Sequence, residues 1–246
     1  MKPFIVIATR ADAAADPEYE AVLRFSGLQP SQLRRVRLEA GPFPSDIDLD
    51  DISGIIVGGS PYTTSDPPHA KSAEQVAAEA ELSTLLDQVI DRDIPFFGAC
   101  YGVGTLGVHQ GAVLSTEYGE EVGPTPITLT ADGAADPLIR QADLPGRFPA
   151  FVGHKEGVAS LPEHAVVLAT GEAAPVQMFR VGTRQYATQF HPELDQQGLA
   201  ERIRIYRHEG YFAPEEMDEL LGRVAQARTP EANRLLRAFV ELFARD

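Results

Sequence analysis

Ile94-Pro95-Phe96-Phe97-Gly98-Ala99-Cys100-Tyr101-Gly102 decides how the rest of the chain is read. An apolar run of strand character ends between two glycines, where a strand turns sharply into a helix, and the only cysteine of the chain stands at that turn. A side chain at such an elbow projects from the carboxyl edge of a sheet. The N–H of the next residue, Tyr101, then falls at a helix start, where partial positive charge favours thiolate and oxyanion alike. Glycines at 98 and 102 let the backbones crowd without a Cβ clash. An isolated cysteine is more often a small buried hydrophobe. The elbow makes Cys100 the candidate nucleophile instead.

The flanking sequence predicts the sheet to which the elbow belongs. Phe4-Ile5-Val6-Ile7-Ala8 reads as a fully buried strand, and Ser53-Gly54-Ile55-Ile56-Val57 as another that ends in Gly58-Gly59-Ser60. A helix is expected from about 70 to 92, with Leu82, Leu85, Leu86 and Val89 as its apolar stripe. Strand, helix, strand in this order implies a right-handed parallel crossover, in which ligands collect at the carboxyl ends of the strands. Beyond the elbow the pattern turns more β-like, with strands expected at Thr125–Leu129, Ala165–Ala169, Val176–Val181 and Arg184–Phe190. The end of the chain is helical in pattern: Leu199–His208, Pro214–Gln226 and Pro230–Ala244. The chain is therefore divided into a sheet domain, 1–198, and a helical extension, 199–246, packed on it. An apolar helical stripe is usually core; a lid or a partner surface is the other use for it.

With 246 residues, 43% of them hydrophobic, the chain can fill a sizeable core. A lone cysteine forms no intramolecular disulfide, and the apolar stretch Phe4–Ala8 is too short for a signal-peptide core. No apolar stretch approaches a membrane span, so the cytoplasm is the expected location. The formal charge of −15 argues against a nucleic-acid or anionic-membrane partner, either of which calls for a basic footprint.

A cysteine nucleophile needs a base, and Gln189-Phe190-His191-Pro192-Glu193-Leu194 offers one. Pro192 keeps His191 out of the helical region, so in an extended segment His191 and Glu193 point to the same side. A carboxylate there fixes the imidazole tautomer and stabilises the imidazolium. The dipeptide alone reads as a surface turn; paired with the elbow it reads as base and orienter. The oxyanion donors expected are the backbone N–H groups of Gly59 and Tyr101.

Two other patterns compete. Gly102-Val103-Gly104-Thr105-Leu106-Gly107 matches the dinucleotide fingerprint, but Gly111 and a strand at 112–114 follow too soon for its helix. The histidines at 69, 109, 154, 164, 191 and 208 lack close ligand spacing, so neither metal nor cofactor is expected. His154 is read as a solvated loop histidine near the mouth of the site.

In Gly98-Ala99-Cys100-Tyr101-Gly102, Gly58-Gly59-Ser60 and His191-Pro192-Glu193, in that order and spacing, the chain resembles the class I glutamine amidotransferases with a Cys-His-Glu triad. It is most similar to stand-alone members related to the amidotransferase domain of GMP synthase. The resemblance covers residues 4–196. It implies a flavodoxin-like α/β fold with a mostly parallel sheet flanked by helices, and hydrolysis of the glutamine side-chain amide through a γ-glutamyl thioester on Cys100. The ammonia would pass to a separate synthetase. One position departs from the pattern: where the family usually continues Gly-x-Gln after the cysteine, this chain has Gly102-Val103-Gly104. The missing glutamine helps hold the substrate in the family, so the amide substrate is left open between glutamine and a larger γ-glutamyl compound, and a γ-glutamyl peptide hydrolase is the alternative activity. Ser60, Tyr62 and Gly104 are the candidate substrate-binding positions, with Thr63 and Thr64 in the same loop. A catalytically silent regulatory scaffold is the non-enzyme alternative.

Overall fold

The computed structural model describes residues 1–11 and 13–246. Along the chain run β1 (Phe4–Ala8), α1 (Ala15–Ser26), β2 (Leu33–Arg37), β3 (Gly54–Val57), α2 (Ala73–Asp91), β4 (Phe96–Ala99) and α3 (Tyr101–Gln110). Then come β5 (Val113–Ser115), β6 (Glu120–Leu129), α4 (Ala131–Ala135), α5 (Pro137–Gln141), β7 (Arg147–His154), β8 (Gly157–Ser160) and β9 (Ala165–Thr170). The chain ends with β10 (Met178–Val181), β11 (Gln185–Thr188), α6 (Gln196–Ile205), α7 (Met217–Gln226) and α8 (Pro230–Phe243).

Among the described residues, nine strands make one sheet in the order β2-β1-β3-β4-β11-β10-β9-β6-β7, and β5 pairs with β8 apart from it. The first five in this order are mutually parallel and the rest are antiparallel. Parallel strands bury both faces, and the alternation along each strand shows it. Phe4, Val6, Ile56, Phe97 and Tyr186 enter one core with Val22 of α1 and Leu235, Leu236 and Phe239 of α8. Ile5, Ile7, Ile55, Val57 and Phe96 enter the other with Leu82, Leu85 and Leu86 of α2 and Leu106 of α3.

Parallel pairing has one consequence for function: it stacks the carboxyl ends of β1, β3, β4 and β11 along one sheet edge. Register pairs Val57 with Gly98 and Thr188 with Ala99, so the segments beginning at Thr9, Gly58, Cys100 and Gln189 emerge side by side.

The expected strands and helices are present with adjusted ends. Ser72 caps α2, its side chain accepting from the Gln75 N–H, so the helix begins later than expected. β6 extends back to Glu120 through Pro124 and Pro126. Those prolines lie outside the portion of β6 paired with β9, so no second strand calls on the N–H groups they lack. The sequence reading omitted α1, β2, α4, α5, β7 and β8. The dinucleotide-like glycines 102, 104 and 107 lie inside α3, not in a phosphate-binding loop.

Candidate active site

Cys100 joins β4 to α3 with φ 53° and ψ −85°, a left-sided conformation that costs energy for a residue with a Cβ. The surroundings enforce it. The Cys100 N–H donates to the Thr188 carbonyl at 2.7 Å, and a Cβ on Gly98 would fall 2.7 Å from the Gly102 Cα. Strand and helix touch backbone to backbone there, which is why glycine is required. The thiol stays partly accessible.

His191 follows β11 and is held by its neighbours. Its N–H donates to the Phe151 carbonyl at 2.9 Å, and the Asn233 side-chain amide from α8 donates to the carbonyls of Pro192 and Leu194 at 2.7 and 2.9 Å. The imidazole Nδ1 lies 2.8 Å from Glu193 Oε1, with both groups buried. That leaves Nε2 as the ring nitrogen not held by the carboxylate. Burial by itself disfavours the imidazolium, but the charges of Glu193 and Cys100, and hydrogen bonds to both, push His191 up to about 9. Burial likewise works against the Glu193 carboxylate, yet His191 and Arg202 hold it down at about 2.

Arg202, from α6, is a site residue that sequence reasoning missed. It reaches Glu18 of α1 at 2.8 Å and Glu193 at 3.2 Å, and Arg10, just after β1, lies 3.5 Å from Glu18. Its guanidinium is also 3.2 Å from His191 Nδ1, but that nitrogen gives its proton to Glu193, so the contact is one of packing. All four charged side chains are buried. Two carboxylates meet two guanidiniums, so the network balances without the imidazole. The imidazole is left with Glu193 and Cys100 as the groups that raise its proton affinity. A basic residue after a strand, as in Thr9-Arg10, is a faint signal; Glu18 and Arg202 carried none.

The Gly58-Gly59-Ser60 loop lies against this network. The Gly59 carbonyl accepts from Arg10 Nε at 3.3 Å, and a Cβ on Gly59 would fall 3.2 Å from His191 Cε1. Ser60 Oγ accepts from the Tyr62 N–H at 3.1 Å and shapes the turn. Ser60, Tyr62, Thr63, Thr64, Cys100, Tyr101 and Gly104 share one hollow with Gln189. Its loop is pinned from two sides. Glu156 accepts from the N–H groups of Thr64 and Ser65 at 2.8 and 3.0 Å, and from α2 Gln75 donates to the Thr63 carbonyl at 2.9 Å while the adjacent Lys71 donates to the Thr64 carbonyl at 2.8 Å.

At position 104 the space beside the helix is already taken. A Cβ built on Gly104 would fall 2.4 Å from Thr64 Oγ1, so Thr64 occupies that space. Among the described residues, buried Thr64 Oγ1 has no hydrogen-bond partner, and Gln189 Oε1 is in the same condition. His154 corrects the expectation of a solvated loop histidine. It ends β7, is buried, and its ring nitrogens face Glu120 Oε2 at 2.9 Å and the Glu156 carbonyl at 2.8 Å. Edge pairing with β6 brings that acceptor to it. Among the described residues, no group of three or more His, Cys, Asp or Glu side chains is arranged to hold a metal ion, and no helix is long and apolar enough to cross a membrane.

The family model described as glutamine amidotransferase class-I matches residues 25–203. Gamma-glutamyl peptidase 3 of Arabidopsis thaliana is 27% identical over 179 residues, which cover 72% of this chain and 69% of that protein. The A subunit of a glutamine-hydrolyzing GMP synthase, from Thermoplasma volcanium, is 27% identical over 168 residues, 66% of this chain and 75% of that one. The crystal structure of a glutamine amidotransferase from Thermotoga maritima has the same fold, with a TM-score of 0.76 at 21% identity and 100% coverage of both chains.

Proposed function

The chain belongs to the class I glutamine amidotransferase family, and from that premise we propose that it hydrolyses a γ-glutamyl amide through a thioester on Cys100. The observation that carries this reading is the imidazole of His191, tied at Nδ1 to Glu193 and interacting with Cys100, itself held in a strained elbow. The thiolate attacks the side-chain carbonyl carbon. The oxyanion that forms is received by the N–H groups of Gly59 and Tyr101, at the two loop ends that parallel pairing sets beside each other. His191 protonates the departing nitrogen, the C–N bond breaks, and water then opens the thioester with His191 as base.

In this reading the hollow with Ser60, Tyr62 and Thr64 takes the γ-glutamyl part. Thr64 stands where a longer side chain at position 104 would otherwise reach. Its unpaired hydroxyl, together with the unpaired Gln189 Oε1, offers the polar contacts that Gly104 lacks. Leaving such groups unpaired in the interior costs about 1–3 kcal/mol each, which a bound polar ligand returns.

A second reading, delivery of ammonia to a separate synthetase, is supported by the similarity to the A subunit of a glutamine-hydrolyzing GMP synthase. It uses the same Cys100 chemistry and differs in having ammonia as the leaving group. The test of the shared chemistry is direct. The protein is incubated with glutamine and with γ-glutamyl amides while glutamate and amine are measured, and Cys100→Ser is expected to abolish turnover. A glutamine-like diazo-ketone should label Cys100 alone; turnover in the serine variant, or labelling elsewhere, would falsify the assignment.

A further inference from the structure

We propose that the hollow on the His191 side of Cys100 is a leaving-group pocket that selects γ-glutamyl amides of uncharged apolar amines over glutamine; this rests on the thioester reading above. Cys100 stands between two hollows. One holds the Thr64 loop, Gly104 and Gln189 but not His191. The other holds His191, and with it Val122, Val152, Leu194, Leu199, Ile203 and Phe212.

The reaction assigns an end of the substrate to each. Sγ bonds to the carbonyl carbon and the C–N bond must break, with the proton on His191 passing to the nitrogen. The nitrogen and whatever it carries therefore lie on the His191 side, and the γ-glutamyl part lies on the other. The amine departs from the second hollow. Water enters there and bonds to the thioester carbon as His191 takes its proton, the C–S bond breaks, and γ-carboxylate and thiolate are released.

The lining then states what the amine carries. Ammonia would touch almost none of these apolar side chains. An alkyl or aryl substituent would rest against the half-buried Val122 and Phe212, while Leu194, Leu199 and Ile203, already buried in a compact apolar cluster, give the hollow a rigid wall. Two cations, Arg10 and Arg202, also border the hollow, but both are engaged: Arg10 with Glu18 and the Gly59 carbonyl, Arg202 with Glu18 and Glu193. No lysine borders it among the described residues, and the hydroxyls that do are those of Ser60, which the Tyr62 N–H engages, Tyr206, which Arg10 engages, and Tyr211. A leaving group that bears its own carboxylate, as in a γ-glutamyl dipeptide, would thus be desolvated against committed guanidiniums. An uncharged amine meets no such penalty.

The test is a kcat/KM series on glutamine, γ-glutamyl-methylamide, γ-glutamyl-butylamide, γ-glutamyl-phenethylamide and γ-glutamyl-phenylalanine. Each buried methylene should raise kcat/KM about fourfold, and the phenethylamide should exceed both glutamine and γ-glutamyl-phenylalanine by about tenfold or more. Phe212→Ala and Val122→Ser should each narrow the phenethylamide-to-glutamine ratio. That ratio is independent of how much of a variant is folded, so a poorly folding variant still reports. Glutamine or the dipeptide turned over as well as the phenethylamide, or a ratio unmoved by both variants, overturns the pocket assignment and leaves the thioester reading standing. Failure to turn over any of the five overturns the thioester reading, and this inference with it.

Discussion

Thr64 and Gly104 fit each other as hydroxyl and gap, and neither is interpretable alone. Gly104→Ala is expected to displace Thr64 and raise KM for a γ-glutamyl amide, because the new Cβ would overlap Oγ1. In a Thr64→Gly background, which removes both Oγ1 and the Cβ that would lie 3.1 Å away, the same change should cost little more, so the double variant behaves like Thr64→Gly alone. Additive losses in a double-mutant cycle would show that the two residues act separately. At His191 the prediction concerns pH. Its proton affinity is raised from 6.5 to about 9 in the folded protein, so the stability that the bound proton contributes is complete below pH 6.5 and is lost as pH rises through 9. Urea unfolding across that window should show the wild type losing stability relative to His191→Gln; parallel curves would remove the ion pair. Cys100, His191 and Glu193 could be singled out in the sequence because their spacing within short segments is itself the chemical signal. Thr64 was only one of several loop hydroxyls, since what distinguishes it is contact with a residue forty positions away.

At the scale of elements, the helices after the His191–Glu193 segment help to hold it in place. α6 supplies Arg202 and α8 supplies Asn233, so the His-Pro-Glu segment is held from both sides. Arg202→Met leaves two buried carboxylates, Glu18 and Glu193, with Arg10 as the remaining guanidinium. Breaking such a network by removing one partner costs about 3–5 kcal/mol. Because Arg202 positions Glu193 and not the substrate, kcat is expected to fall while KM changes little, with the acid limb of the pH profile shifting as Glu193 loses its cation. A variant with wild-type stability, kcat and pH profile would reduce Arg202 to a bystander. The periodicity of these helices was legible, but a polar residue on a helix face does not reveal which distant carboxylate it will meet.

For the molecule as a whole, α8 packs the end of the chain against the sheet. Phe239 meets Phe4 of β1, Phe97 of β4 and Phe243 at ring-centroid distances of 6.1, 5.5 and 5.0 Å, tying the last helix to the strands that carry the site. Phe239→Ala should cost about 3–5 kcal/mol, read as a lowered urea midpoint; a midpoint within error of the wild type would mean that the helix is peripheral to the core. The amino-acid sequence by itself determined the α/β class, the buried strands and the elbow, because continuous apolar runs, glycine spacing and a proline after histidine act over a few residues. Tertiary structure alone decided that Arg10, Glu18 and Arg202 close a charge-balanced network around Glu193, that Thr64 fills the space over Gly104, and that His154 is buried. Each depends on segments brought together by parallel register and helix packing, and no local rule of the chain encodes those distances.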